Sequence, residues 1–179
     1  MSDIYDRVTG DQDVFDKILA KIPGFSGYVE RMNRRLADKA LREKLATEYE
    51  LLWGRLSSLQ KDLIDQGQLE LIDDLESAAI KLRQFIDRIR TAAYGYSGFF
   101  DAIKINKDDL KRAYEYDYSL FDLADQISRA IDNVEASIGT DGLPAALRNI
   151  RTLSKDAVDA FVRRMDVLRG IDSSSEATQ

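Results

Sequence analysis

The sequence predicts an all-α protein: an antiparallel four-helix bundle from a duplicated helical hairpin, preceded by a short N-terminal helix. Three observations carry this reading. Apolar residues recur at alternating spacings of three and four along several long segments, the signature of helices that bury one stripe. Only 2 prolines and 10 glycines interrupt 179 residues, so the helices can be long. A phrase also occurs twice, as Gly24-Phe25-Ser26-Gly27-Tyr28 and Gly95-Tyr96-Ser97-Gly98-Phe99. Each copy leads toward an Ala-x-Glu-Tyr-acid phrase, Ala46 to Glu50 and Ala113 to Asp117. A repeated unit of this length points to duplicated architecture.

Residues 1–10 read as a flexible acidic arm, 11–170 as a single helical domain and 171–179 as a disordered polar tail. Asp11 to Lys21 forms a short amphipathic helix with Val14, Phe15, Ile18, Leu19 and Ile22 on one face, ended by Pro23-Gly24. The first long helix runs from about Ser26 to Gln66 and carries the seam Leu45, Tyr49, Leu52, Leu56, Leu59, Leu63. Gly54 falls inside it, where a close helix crossing beside Trp53 or a kink would account for a residue that costs about 1 kcal/mol against alanine. Gln66-Gly67-Gln68 is a turn. The second helix, about Leu69 to Ala93, shows Ile72, Leu75, Ala79, Leu82, Ile86, Ile89 and Ala93, widened by Leu71, Ala78 and Phe85, a face broad enough for two neighbours.

A longer connection, Tyr94 to Asn106, holds the second glycine phrase. Asn106 caps the third helix, with Asp108 and Asp109 favouring its positive end. Its seam is Leu110, Ala113, Asp117, Leu120, Ala124, Ile127, Ile131, Val134, Ile138. Gly139 to Gly142 is the second tight turn, and Pro144 sits where a helix start tolerates proline. The fourth helix uses Leu147, Ile150, Ala157, Phe161 and Leu168, and Gly170 is expected to stop it.

Composition narrows the chemistry. Hydrophobic residues at 44% and charged residues at 32% describe a foldable globular chain. A net charge of −6 argues against a nucleic-acid binder, which needs a clustered basic surface. With no histidine and no cysteine, thiol nucleophiles, imidazole bases and Cys/His zinc sites are excluded. No segment reads as a signal peptide or a membrane span. A cytoplasmic location is the expectation.

Some residues nevertheless stand out. Di-iron bundles take a glutamate from each of two helices and Glu-x-x-His from the other two. Glu48, Glu50, Glu115 and Asp117 could supply the first pair, but the second-helix motifs are missing, so no metal or other cofactor is expected. Asp117 breaks an apolar seam, and a buried carboxylate needs a partner. Arg83, Arg88, Arg90, Arg148 and Arg151 are the candidates. Tyr114, Tyr118 and Phe121 form an aromatic stripe that reads first as core packing. Phe25, Tyr28, Tyr96, Phe99 and Phe100, brought to one end of the bundle, and the basic residues Arg31, Arg34 and Arg35 are the candidate partner-binding residues.

The expected function is a non-enzymatic helical interaction or scaffold protein that self-associates or binds another protein, with no small-molecule ligand identified. Two alternatives are a bundle binding a ligand or metal through interior carboxylates and tyrosines, and a peripheral protein on a membrane surface.

Overall fold

A computed structural model describes residues 12–22, 34–92 and 107–176, and these are helical with short turns between them and no strand. Helix α1 spans Gln12–Lys21, α2 Arg34–Asp65, α3 Ile72–Thr91, α4 Lys107–Ser137 and α5 Leu143–Glu176. A single 3-10 turn, Leu69–Leu71, leads into α3. The expected acidic arm, both glycine phrases and the 94–106 connection lie outside the described residues.

The α2–α3 turn closes as a Schellman motif. Gly67 takes the left-handed conformation at φ +74°, which a side chain would resist. The Gln68 amide then donates to the Leu63 carbonyl and the Gly67 amide to the Ile64 carbonyl, both at 2.9 Å. At the α4–α5 turn, Gly139 plays the same conformational part at φ +77°. The Thr140 hydroxyl donates to the Ser137 carbonyl at 2.8 Å and accepts from the Gly142 amide at 3.2 Å. Pro144 then falls in the first turn of α5, where its missing amide hydrogen leaves no bond broken.

Two expectations fail. Helix α5 continues through Gly170 to Glu176. A glycine ends a helix when it turns left-handed, and inside one it only weakens it. Gly54 does not sit at a close crossing either: a Cβ built there meets nothing within 4 Å.

The chain divides into two compact units. One comprises Ala46–Arg88 and Leu120–Phe161. Its interior is apolar and drawn from all four of its helical stretches: Leu52, Leu56, Leu59 and Leu63; Leu75, Leu82, Phe85 and Ile86; Leu120, Ile127, Ile131 and Val134; Leu147, Ile150, Ala157 and Phe161 are all buried. These are the seam positions of the three-four alternation, each large side chain contributing about 1.5–3 kcal/mol on burial. Phe85 stacks on Tyr49 with ring centroids 4.0 Å apart and meets Phe161 edge-on at 6.0 Å. The aromatic contacts thus tie α3 to both α2 and α5 within this unit.

The other unit gathers the described residues up to Leu45, within Ile89–Ser119 and from Val162 onward. Ile18, Ile22, Leu41, Leu45 and Ile89 are buried there, together with three charged residues, Arg42, Asp117 and Arg164.

The two Glu-Tyr phrases meet the interior one residue out of step. Tyr49 is fully buried and Glu50 half-buried, whereas Tyr116 is half-buried and Asp117 buried. The likeness in letters is not a likeness in position.

Candidate functional site: buried polar groups and an aromatic groove

Within the charged unit, Arg164 Nε donates to Asp117 Oδ1, and both side chains are almost wholly buried. The seam puts Asp117 inside. The same alternation on α5, through Leu147, Ile150, Ser154, Ala157 and Phe161, puts residue 164 on its inward stripe. That spacing was a usable signal for the partner, although the five arginines expected were others. Of those, Arg83 pairs with Asp87 in its own helix at 3.2 Å, and Arg151 reaches Asp74 at 2.7 Å. The geometry makes Asp117 an ion-pair member: the guanidinium occupies the position a metal or a transferable proton would take.

Arg42 extends the α2 seam backward by three residues from Leu45. Its guanidinium donates to the Ile89 carbonyl at 3.3 Å. That carbonyl belongs to the last turn of α3, where main-chain acceptors lack helical donors. Arg42 therefore caps α3, and its charge suits the negative end of the helix. A depression of about 260 Å³ lined by Lys39, Arg42, Glu43 and Arg90 surrounds this point. Arg42 is matched to the helix end, and Lys39 meets Glu43 at 3.7 Å.

The apolar unit has its own polar members. Tyr49 donates its hydroxyl to the Leu120 carbonyl on α4 at 3.0 Å. Burial pushes the phenol far above its ordinary pKa, reinforced by the negative charges of Glu48 and Asp125. It is a neutral donor and an anchor, with no tendency to ionise. Arg55 on α2 bonds Ser128 at 3.2 Å, Asp132 at 2.6 Å and Glu135 at 3.1 Å, all on α4. The bond to Asp132 does most to raise its pKa, opposed by partial burial and supported by Glu135.

The carboxylates considered for a metal are not gathered. Glu48 and Glu50 are half-buried on α2 in the apolar unit, while Glu115 is exposed and Asp117 buried in the charged unit. Among the described residues no group of three or more carboxylates is placed to hold a metal ion. Of the aromatic stripe, Phe121 is buried, and Tyr118 is half-buried with the Lys17 ammonium 5.4 Å from its ring centre. Phe25, Tyr28, Arg31, Tyr96, Phe99 and Phe100 lie outside the described residues, and Arg34 and Arg35 open α2. Among the described residues no helix is long and apolar enough to cross a membrane.

One surface was not anticipated. Between α2 and α3 of the apolar unit lies an open groove of about 830 Å³ whose lining includes Trp53, Ser57, Gln60, Ile80, Arg83 and Gln84. The Arg83 guanidinium lies 5.8 Å from the Trp53 ring centre, a cation–π distance. Ile80 is 58% exposed. Isolated exposed apolar residues are ordinary, but tryptophan and arginine around a bare isoleucine have the composition of an interface centre. The signal was present as Trp53 beside Ser57 and as an isoleucine on the polar side of α3. Neither residue belongs to an inward seam, so helical periodicity alone does not reveal the groove.

No protein-family model matches this chain, and no curated protein or solved structure does.

Proposed function

We propose that this chain is a non-enzymatic helical interaction protein that self-associates, its four long helices arranged as an antiparallel bundle. The observation that carries the reading is the Trp53–Ile80–Arg83 groove. An aromatic ring and an exposed branched aliphatic residue share one depression with an arginine, and Ser57, Gln60, Glu76, Gln84, Asp87 and Arg88 make the rest of the lining mostly polar. Folding alone does not require Ile80 on that face.

The bundle arrangement draws support from the seams. Leu45, Tyr49, Leu52, Leu56, Leu59 and Leu63 correspond to Ala113, Asp117, Leu120, Ala124, Ile127 and Ile131 at a constant offset of 68 residues. Any relation between the two hairpins is therefore one of seam register, one residue away from the offset of the Glu-Tyr phrases. The metal-binding alternative is weakened by Arg164, which already neutralises the most deeply buried carboxylate considered for it.

Sedimentation equilibrium on the full chain over a wide concentration range tests this. A reversible monomer–dimer equilibrium is expected. A strict monomer at the highest attainable concentration removes self-association.

A further inference from the structure

We infer that the charged unit opens cooperatively on its own while the apolar unit stays folded, which gives the chain a second, half-open form. The boundary between the units runs through α2 between Leu45 and Ala46, α3 between Arg88 and Ile89, α4 between Ser119 and Leu120, and α5 between Phe161 and Val162. A helix can stop at such a point without loss on the other side, because its backbone bonds reach only four residues. The ties from helix to helix sort the same way. Tyr49 to the Leu120 carbonyl and Arg151 to Asp74 belong to the apolar unit. Arg164 to Asp117 and Arg42 to the Ile89 carbonyl belong to the charged one.

Two differences set which unit opens. The Gly67 and Gly139 turns both lie in the apolar unit and go on closing its two hairpins when the charged unit is lost. Losing the apolar unit first would leave Ala46–Arg88 and Leu120–Phe161 as loops pinned at both ends, an entropic cost with no contacts to offset it. Opening the charged unit leaves one such segment, Ile89–Ser119. The second difference is charge. Opening the apolar unit exposes Leu56, Leu63, Leu82 and Ile127 with nothing regained. Opening the charged unit exposes Leu41 and Leu45, but it also returns Arg42, Asp117 and Arg164 to water and recovers their desolvation. Trp53, Ile80 and Arg83 belong to the apolar unit, so the half-open form keeps the groove.

Hydrogen exchange of the full chain, read residue by residue by NMR, tests this. The hydrogen-bonded amides of α2 before Ala46, of α4 before Leu120 and of α5 after Phe161 are expected to share one protection factor, at least about tenfold below that of the slowest amides of the apolar unit. Leu56→Ala is expected to lower protection in the apolar unit by about thirtyfold or more and to leave that of the charged unit unchanged, because the apolar unit is folded in both the closed and the half-open forms. Ile127→Val makes the same comparison at about twofold to tenfold if Leu56→Ala fails to fold. Protection that falls by the same factor in both units marks a single cooperative structure and overturns the inference. Protection graded along each helix from its end overturns the cooperative opening. A charged unit better protected than the apolar one overturns the order.

Discussion

The two units use the same helical periodicity for different interiors. In the apolar unit the seam positions of α2, from Leu52 to Leu63, are leucine without exception. In the charged unit the same alternation, continued to Arg42 on α2, Asp117 on α4 and residue 164 on α5, delivers guanidinium and carboxylate groups to buried positions. Apolar burial is non-directional and tolerates small slips of one helix along another. A buried ion pair tolerates none, because a slip leaves a desolvated charge without its partner. On this contrast the buried ion pair is expected to oppose slippage more than it adds to stability.

The sharpest way to break that contrast is to remove one charge. Asp117→Ala leaves Arg164 buried without its ion-pair partner and is expected to cost about 3–5 kcal/mol, as is Arg164→Ala. Replacing both with apolar residues, Asp117→Leu with Arg164→Met, is expected to recover most of the loss or to exceed wild-type stability. Urea unfolding of the two singles and the double decides it. A double variant as unstable as the singles would show that this pair contributes net stability. A stable double variant with broadened amide spectra would locate its role in fixing register.

Much of this was legible in the sequence. Four long helices, both tight turns and the inward face of each helix follow from the three-four alternation, because a periodic stripe of leucine and isoleucine has one way to leave water. Gly67 and Gly139 were legible because few other residues adopt a positive φ. What escaped was polar. Arg164 occupies a seam position that apolar letters alone do not reveal, and the sequence offers many arginines for one aspartate. The Trp53 groove escaped for a related reason: it is assembled from two helices, and neither shows it alone.

Among the described residues the apolar unit buries two side-chain polar atoms without a hydrogen-bond partner, Gln68 Oε1 in the turn before α3 and the hydroxyl of Ser154 on α5. An unsatisfied buried hydroxyl carries a desolvation cost of about 1–3 kcal/mol. Ser154→Ala is therefore expected to stabilise the fold by about 1 kcal/mol, after the lost packing of one atom is deducted. Thermal unfolding reads this directly, and a loss of stability would mean that the hydroxyl is satisfied.

Tyr49 sharpens the contrast differently, as a polar group the apolar unit does satisfy. Tyr49→Phe is expected to cost about 1 kcal/mol at neutral pH. The pH dependence has a definite sign. The folded-state pKa is raised, so the phenol's contribution is intact below the unfolded value near 10 and is lost as pH rises above it, where the unfolded chain ionises and the folded one resists. The stability difference between wild type and Tyr49→Phe should therefore shrink above about pH 10 and reverse at still higher pH. A difference that stays constant through that range would mean that Tyr49 ionises freely in the folded state.

The smallest expected effect concerns Gly54, an α2 residue whose missing side chain no close contact requires. It lies in the apolar unit, lines a surface depression with Leu51, Arg55 and Ser58, and offers a new methyl group nothing to strike within 4 Å. Its φ is not in the left-handed range, so alanine fits the backbone as it stands. Gly54→Ala should then stabilise the helix by about 1 kcal/mol or slightly less, through the lower conformational entropy of the unfolded chain. In a chain of this size that is a rise of about 2–4 °C in Tm. Because Gly54 does not line the Trp53 groove, the dimer equilibrium of the variant should match wild type. A stabilised Gly54→Ala chain that has lost its self-association would move the interface from the face of Ile80 to the face of Leu51.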